Sequence, residues 1–280
     1  MAIELATKYL PYVDELFSTE SRTSLVTNQA FSWTGAHTVK VYSVTTAGMN
    51  DYDRNGETNS TQRYGTPADL SATTQELTLT KDRAFTFVID RLDEDETAGA
   101  LNGAAALARQ IREVIIPEVD TYVYGVMAAG AGIKPDAVKL TATNIFEKIT
   151  DANTALDNAE VPENGRILIV TPDTYLLMKR SKDIVLESDV GADMRLRGVI
   201  SNLDGCQVVK VPASRLPENT GFMLCHSVAT IAPLKLESYK THQDPPGING
   251  TLVEGRICYD AFVLNNKKNA VYFHSLPSED

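Results

Sequence analysis

Residues 47–75 read AGMNDYDRNGETNSTQRYGTPADLSATTQ, and this stretch decides how the rest of the chain must be arranged. Nearly all of it is small or polar; only Met49, Tyr52, Tyr64 and Leu70 have any apolar size. It joins two extended runs. Residues 38–46 read as a strand, with Val39 and Val41 on one face and a β-branched tail. Residues 76–90 read as a second strand: Leu77 and Leu79 alternate with polar residues, then Phe85, Phe87 and Ile89 alternate with Thr86, Val88 and Asp90. A connection this long without its own core is uncommon inside a compact domain. A two-stranded ribbon is marginally stable alone. The expectation is that the ribbon of residues 38–90 rests on another subunit.

On the C-terminal side the spacing predicts one long helix over residues 94–129. Leu101, Ala105, Ala108, Ile111, Ile115, Val119, Tyr122 and Val126 recur at spacings of three and four and form one apolar stripe. Asp93, Glu94, Asp95 and Glu96 fall at its start, where the helix dipole favours anions. Pro117 is expected to kink or divide the helix, and Gly130–Gly132 to end it. Beyond it the pattern is mixed. Asn144 and Glu147 suit a capping box, and Thr171-Pro172 suits a cap and first helical position. Strands are expected at 166–170, 207–211, 221–225, 229–239, 256–264 and 270–274, with a loop marked by Pro245-Pro246-Gly247 and Asn249-Gly250. On the N-terminal side, residues 1–35 form a polar arm with room for a helical turn or two.

The whole chain has 280 residues and a net charge of −11. Such acidity opposes tight or sequence-specific binding to phosphates. Cys206, Cys225 and Cys258 are odd in number, widely spaced and lack a CxxC, so they read as small buried thiols. Residues 1–10 carry no basic start followed by an apolar run, and no stretch approaches the ~18 apolar residues of a membrane span. The expectation is a protein made in a cytosol, without a membrane partner.

Templates for chemistry fail one after another. Asp51-x-Asp53-x-Asn55-Gly56 matches the first half of a calcium loop, but the twelfth position is Gln62 and the flanks read as strands. A polar loop tip is the preferred reading, with calcium at Asp51, Asp53 and Asn55 as the minor one. His37, His226, His242 and His274 are far apart and fit no metal or triad spacing. Phosphate-cradling glycine motifs and a nucleophile elbow are missing. No cofactor and no catalytic residue is expected.

Arm, long extended hairpin, long helix with an internal proline, then mixed α/β: this order resembles the major capsid proteins of tailed double-stranded-DNA bacteriophages, the Hong Kong phage capsid or Johnson fold. The stretches that carry the resemblance are YDRNG at 52–56, KDRAFTFVIDRLDEDET at 81–97, IPEVDTY at 116–122, LDGCQVVKVP at 203–212, and DPPGINGTLVEG followed by RICYDAFVL at 244–264. The resemblance implies an α+β fold with an N-terminal arm at 1–35 and an extended hairpin loop at 36–92. It implies a peripheral domain with a spine helix at 93–165, an axial domain at 166–252, and C-terminal strands at 253–280 returning to the peripheral domain. The implied function is a structural coat protein, not an enzyme, that self-assembles into pentamers and hexamers of an icosahedral head in the virion. The head would be built in the host cytoplasm and enclose DNA without reading its sequence.

Tyr52, Asp53, Arg54, Arg63 and Tyr64 at the hairpin tip become intersubunit contacts in that reading. Arg54, Arg63, Asp69 and the acidic helix start supply ion-pair partners, and Pro117 becomes the helix kink. Some family members cross-link a hairpin lysine to asparagine; here no lysine lies between Lys40 and Lys81, so no such cross-link is expected. With only the short arm before the first strand, a separate scaffolding protein is expected, together with a portal. An encapsulin-type nanocompartment shell is the alternative within the same fold. A cytosolic α/β enzyme with a flexible lid at 47–75 is the alternative outside it.

Overall fold

The structure is a computed structural model, and it describes residues 21–28, 38–44, 46–55, 62–67, 69–96, 102–187 and 200–278. The chain divides into two compact units, residues 35–78 and the remainder.

The smaller unit is a hairpin. Strand β1 (Thr38–Val44) pairs antiparallel with β2 (Ala72–Thr78) in unbroken register from Thr38↔Thr78 to Val44↔Ala72. Val39 and Val41 share one half-buried face as the alternation requires, and Tyr42 and Val44 stand exposed on the other. Lys40 Nζ lies 2.6 Å from Glu76 Oε1 across the pair, and the Thr38 and Thr78 hydroxyls are 3.0 Å apart.

The expected single strand at 76–90 is two strands in two sheets. β2 stops at Thr78, and β3 (Lys81–Asp90) belongs to the larger unit. The interruption has a physical cause: the Thr80 N–H and hydroxyl both donate to the Asp260 carboxylate, at 2.7 and 2.9 Å, instead of to a strand neighbour.

Among the described residues the first element of the larger unit is a helical turn, α1 (Thr23–Val26). The expected single helix also divides. The acidic residues lie on a separate short helix, α2 (Arg91–Glu96), capped by Asp90, whose Oδ1 accepts from Leu92 N–H at 2.8 Å. The long helix starts anew at α3 (Gly103–Gln110), where the extended Asn102 caps Ala104 N–H. A π-helical turn at Ile111–Ile115 joins α3 to α4 (Ile116–Gly130), with Ile116 N–H bonded to Ile111 C=O. Proline at 117 has no N–H, and its ring would crowd the carbonyl four residues back. A wider turn just before it relieves that crowding. The helix ends at Gly130 as expected, where a Cβ would sit 2.7 Å from Val263.

Helix α5 (Ile145–Asn158) forms without the expected capping box: Asn144 Oδ1 accepts from Thr141 N–H at 2.8 Å, a bond within the preceding turn. β4 (Arg166–Val170) leads into α6 (Pro172–Arg180), capped as anticipated by Thr171, and α7 (Lys182–Glu187) follows. Then come β5 (Asn202–Leu203), β6 (Cys206–Lys210), β7 (Thr220–His226), β8 (Thr230–Ile231), β9 (Leu234–Gln243), β10 (Gly250–Tyr259), β11 (Phe262–Val263) and β12 (Val271–Ser275). Two strand expectations ran too long. Residues 229–239 split at Pro233, which has no N–H for a ladder, and 256–264 split between Tyr259 and Phe262.

A five-stranded mixed sheet, β12-β7-β4-β6-β5, forms the main core, with only β4 and β6 parallel. β4 is buried along its whole length. Ile167 and Ile169 face a cluster containing Val123, Tyr124 and Met127 of α4, while Leu168 and Val170 face Ile149 and Leu156 of α5. A β-strand covered on both faces reads as an unbroken apolar run, which is why RILIV stood out. A second sheet, β3-β10-β9, is antiparallel throughout. Gly255 sits at its centre, opposite Phe85 on one side and Tyr239 on the other. A Cβ there would fall 2.1 Å from Phe85 Cε1, so the missing side chain is what lets the two rings close over the strand, centroids 6.1 Å apart.

Candidate assembly interface

The hairpin tip is organised by its own backbone. Asp53 N–H donates to Arg63 C=O at 2.9 Å, Gly65 N–H to Gln62 C=O at 3.0 Å, and Asn50 Nδ2 to Tyr64 C=O at 3.3 Å. Gly65 has φ +85°, and a Cβ on it would lie 2.6 Å from Asn50 Nδ2. The Tyr52 and Tyr64 rings meet edge to face, centroids 5.0 Å apart. Four of the residues expected at an intersubunit contact, Tyr52, Arg54, Arg63 and Tyr64, stand exposed at this tip, and Asp53 is half-buried there. Asp51 and Asn55 are exposed beside them, while Gly56, which the calcium loop would need for its turn, lies outside the described residues. Among the described residues no cluster of three or more His, Cys, Asp or Glu could hold a metal.

Apolar exposure concentrates on this unit. Met49 is fully exposed, Tyr64 83%, Tyr42 67%, Leu70 62%, Val44 61% and Tyr52 52%. Side chains of this kind in water forfeit about 1.5–3 kcal/mol each relative to burial. Exposed apolar side chains gathered in this way are a common mark of an interaction surface.

The larger unit is held by buried polar clasps that no local spacing announces. Asp260, between β10 and β11, is 3% exposed. Its Oδ2 accepts from the Thr80 N–H and hydroxyl; its Oδ1 accepts from Tyr122 Oη at 2.7 Å and Ala261 N–H at 2.8 Å. One carboxylate thus ties the start of β3, helix α4 and the end of β10. Burial, and then the neighbouring Asp260 charge, push the Tyr122 phenol up to about 12. Asp120 on α4 is 1% exposed and pairs with Arg215 at 2.9 Å. Arg166, 2% exposed at the start of β4, donates to the Pro162 and Val161 carbonyls and to Asn153 Oδ1, and pairs with Asp157 at 2.7 Å. The Asp260 and Asp120 clasps join residues far apart in the chain, so a single sequence shows them only as isolated charges in apolar surroundings.

Titratable groups outside these clasps are arranged for structure. Burial raises the Cys206 thiol to about 11 and the Cys225 thiol to about 12, which opposes the reactive thiolate. Cys258 is half-buried, and no disulfide forms. His226 accepts from Val228 N–H on Nδ1 and meets Asn164 C=O through Nε2. His274, 1% exposed, stacks on Phe222 with centroids 4.9 Å apart and meets Val138 C=O through Nε2. His242 lies 3.5 Å from Glu254 on the sheet surface, and His37 is outside the described residues. The described residues include no helix long and apolar enough to cross a membrane.

Comparison with known proteins agrees with this architecture. The solved chain of Mycobacterium phage Che8 superposes with a TM-score of 0.77 at 19% identity, covering 97% of this chain and 96% of its own. The capsid structure of cyanophage P-SCSP1u gives 0.79 at 12% identity, covering 99% and 94%. The capsid of Myoviridae phage XM1 gives 0.68 at 14% identity, covering 99% of both chains. At such identities the likeness speaks for the fold, which is of the Johnson type. Curated protein sequences yield no match. The family model described as "Phage capsid protein" matches residues 72–272, which takes in β2 to β11, the first two residues of β12 and every described helix after α1. That match does not favour the encapsulin alternative. The chain belongs to the phage capsid protein family, and it is a structural protein, the major capsid protein of an icosahedral phage head.

Proposed function

We propose that copies of this chain assemble as pentamers and hexamers around double-stranded DNA, each laying its hairpin over a neighbouring copy. The observation that carries this reading is the run of exposed apolar side chains on residues 35–78, above all Met49, Tyr64 and Leu70, on a two-stranded unit too thin to cover them. The tip residues Tyr52, Asp53, Arg54, Arg63 and Tyr64 would make the intersubunit contacts. Residues 93–165 and 253–280 would form the peripheral domain and 166–252 the axial one. The pairing of β10 with β3, which sets residues 253–259 beside 81–87, supports a C-terminal return within the larger unit. Pro117, with the π turn ahead of it, would set the angle of the spine helix. A net charge of −11 suits a wall that encloses DNA without adhering to it. A separate scaffolding protein and a portal complete the proposal, with assembly in the host cytoplasm.

Deleting residues 49–65 tests it. The shortened chain is expected to remain soluble and folded, with unassembled subunits or capsomers in sedimentation and no closed shells in micrographs. Normal shells from the deletion would remove the hairpin from the mechanism.

A further inference from the structure

We propose that Asp120 is the latch point of the N-terminal arm: its buried carboxylate holds residues 21–28 on their own subunit through the Ser21 hydroxyl, while Arg215 neutralises it independently of the arm. Asp120 has two separate sets of partners. Oδ2 pairs with Arg215 Nη1 at 2.9 Å. Oδ1 accepts from Ser21 Oγ at 2.6 Å and lies 3.4 Å from Thr23 Oγ1, with the two hydroxyls 2.8 Å apart. A separation of 2.6 Å is that of a charge-assisted hydroxyl–carboxylate bond. Two further attachments follow within five residues. Val26 is wholly buried in the cluster that contains Val123, Tyr124 and Met127, and Asn28 N–H donates to Thr230 C=O at 2.7 Å. Thr27 Oγ1 closes the turn on Thr23 C=O at 2.9 Å. The segment is thus held by a polar latch on α4, an apolar plug and a backbone bond to β8.

The division of charge makes the latch releasable. A buried carboxylate stripped of its cation is strongly destabilising. Here the cation comes from the 3₁₀ turn at Ala213–Arg215, not from the arm, so the arm can lift away and leave a neutral Asp120–Arg215 pair behind. Among the described residues the arm meets Asp120 through hydroxyl donors, whose bonds to a charged acceptor are worth a tenfold or larger shift in a local equilibrium. Residues 21–28 are therefore fixed to α4 only while the latch holds. That this freed length serves contacts between copies rests on the capsid reading above; the latch does not.

Limited trypsinolysis of the unassembled full-length subunit reads the latch directly, because Arg22 is exposed between the two latch residues. Cleavage of a rapidly opening segment follows its open population. Ser21→Ala is expected to speed cleavage after Arg22 about tenfold, as measured by mass spectrometry, with the thermal midpoint of the body unchanged. Ser21→Thr, which keeps the hydroxyl, and Ser24→Ala, at an exposed position one turn-residue away, should cleave at the wild-type rate. An unchanged rate in Ser21→Ala, an equal increase in Ser24→Ala, or a fall in the body's midpoint that accounts for the cleavage would each overturn the proposal. Assembly is scored separately. Faster cleavage with normal shells would leave the latch standing and remove the arm from contacts between copies.

Discussion

Asp260→Asn changes almost no volume and should still loosen the larger unit, because four donors converge on two carboxylate oxygens. Oδ2 receives the Thr80 N–H and hydroxyl; Oδ1 receives the Tyr122 phenol and the Ala261 N–H. An asparagine offers one oxygen and one NH2. Turned either way, its NH2 group faces a backbone N–H, of Thr80 or of Ala261, that can only donate. The hydroxyl on the same side can rotate and accept; the amide cannot. One buried N–H is therefore orphaned, at about 1–3 kcal/mol, and the bonds that remain lose their charge assistance, for about 2–4 kcal/mol in total. Urea unfolding of the unassembled subunit should show this as a lower midpoint at unchanged slope. A double-mutant cycle sharpens the test. In the Asp260→Asn background the Tyr122 hydroxyl has already lost part of its acceptor, so Tyr122→Phe should be milder there than in the native chain by about 1 kcal/mol. Additive effects, or an Asp260→Asn subunit within about 0.5 kcal/mol of the native one, would refute the view that this carboxylate ties three elements together.

Three other perturbations follow from the same geometry. Gly255→Ala places a Cβ 2.1 Å from the Phe85 ring and should destabilise the subunit by about 1–3 kcal/mol, an effect Phe85→Leu should largely relieve in unfolding experiments. Burial holds the His274 pKa below its usual 6.5, against an opposing hydrogen bond to Val138, so the unfolded chain binds a proton more readily than the folded one; this contribution is complete above pH 6.5 and is lost as pH falls toward the folded value. His274→Phe should therefore flatten the acid limb of the stability–pH curve below pH 6.5, and an unaltered limb would exclude His274 as its source. Pro117→Ala restores the N–H and removes the ring that the π turn at Ile111–Ile115 accommodates, and is expected to alter shell curvature or yield; particles unchanged in size and number would show that the proline sets no angle.

Sequence periodicity identified the elements whose environment is uniform along their length. The RILIV strand is buried on both faces, and the Ile145, Ile149, Ala152 and Leu156 stripe faces one sheet, so each could be read from a single window. Where a distant partner intervenes, the window misleads. Leu77, Leu79, Phe85, Phe87 and Ile89 keep one parity across the polar run at 80–84, yet the chain leaves one sheet and joins another at Thr80, whose hydrogens go to Asp260, 180 positions away. The acidic run at 93–96 suits a helix start, and it does lie on a helix; what local electrostatics does not reveal is that the long helix begins again after Asn102. Asn144 and Glu147 have the spacing of a capping box, but Asn144 is drawn into the Thr141 turn instead. The exposed tip was legible for the opposite reason. Tyr52, Arg54, Arg63 and Tyr64 lack an apolar context in the sequence, and no distant segment supplies one within their unit.

This division of labour bears on how one sequence can occupy unlike positions in a closed shell. The body's polar contacts are buried: Asp260 ties the start of β3, α4 and the end of β10, the Asp120–Arg215 pair ties α4 to the 3₁₀ turn, and Arg166 ties β4 to α5, so breaking either ion pair or the Asp260 set leaves a charge or an amide stranded. Such networks resist small distortions because they have no intermediate geometry to adopt. The hairpin's polar contacts are of the other kind. Lys40–Glu76 is half-exposed on both sides, and the Thr38–Thr78 bond is open to solvent. Exposed pairs of this sort break and reform with little change in free energy. Its apolar side chains gain from burial without demanding direction, since the hydrophobic effect scales with area and not with angle. In the assembly proposed above, a unit held together in that way would bend to meet a pentamer's neighbour or a hexamer's at nearly equal free energy, while the body would keep a single shape. Variation between copies in such a shell should therefore be concentrated in residues 35–78, and it should be least around Asp260, Asp120 and Arg166.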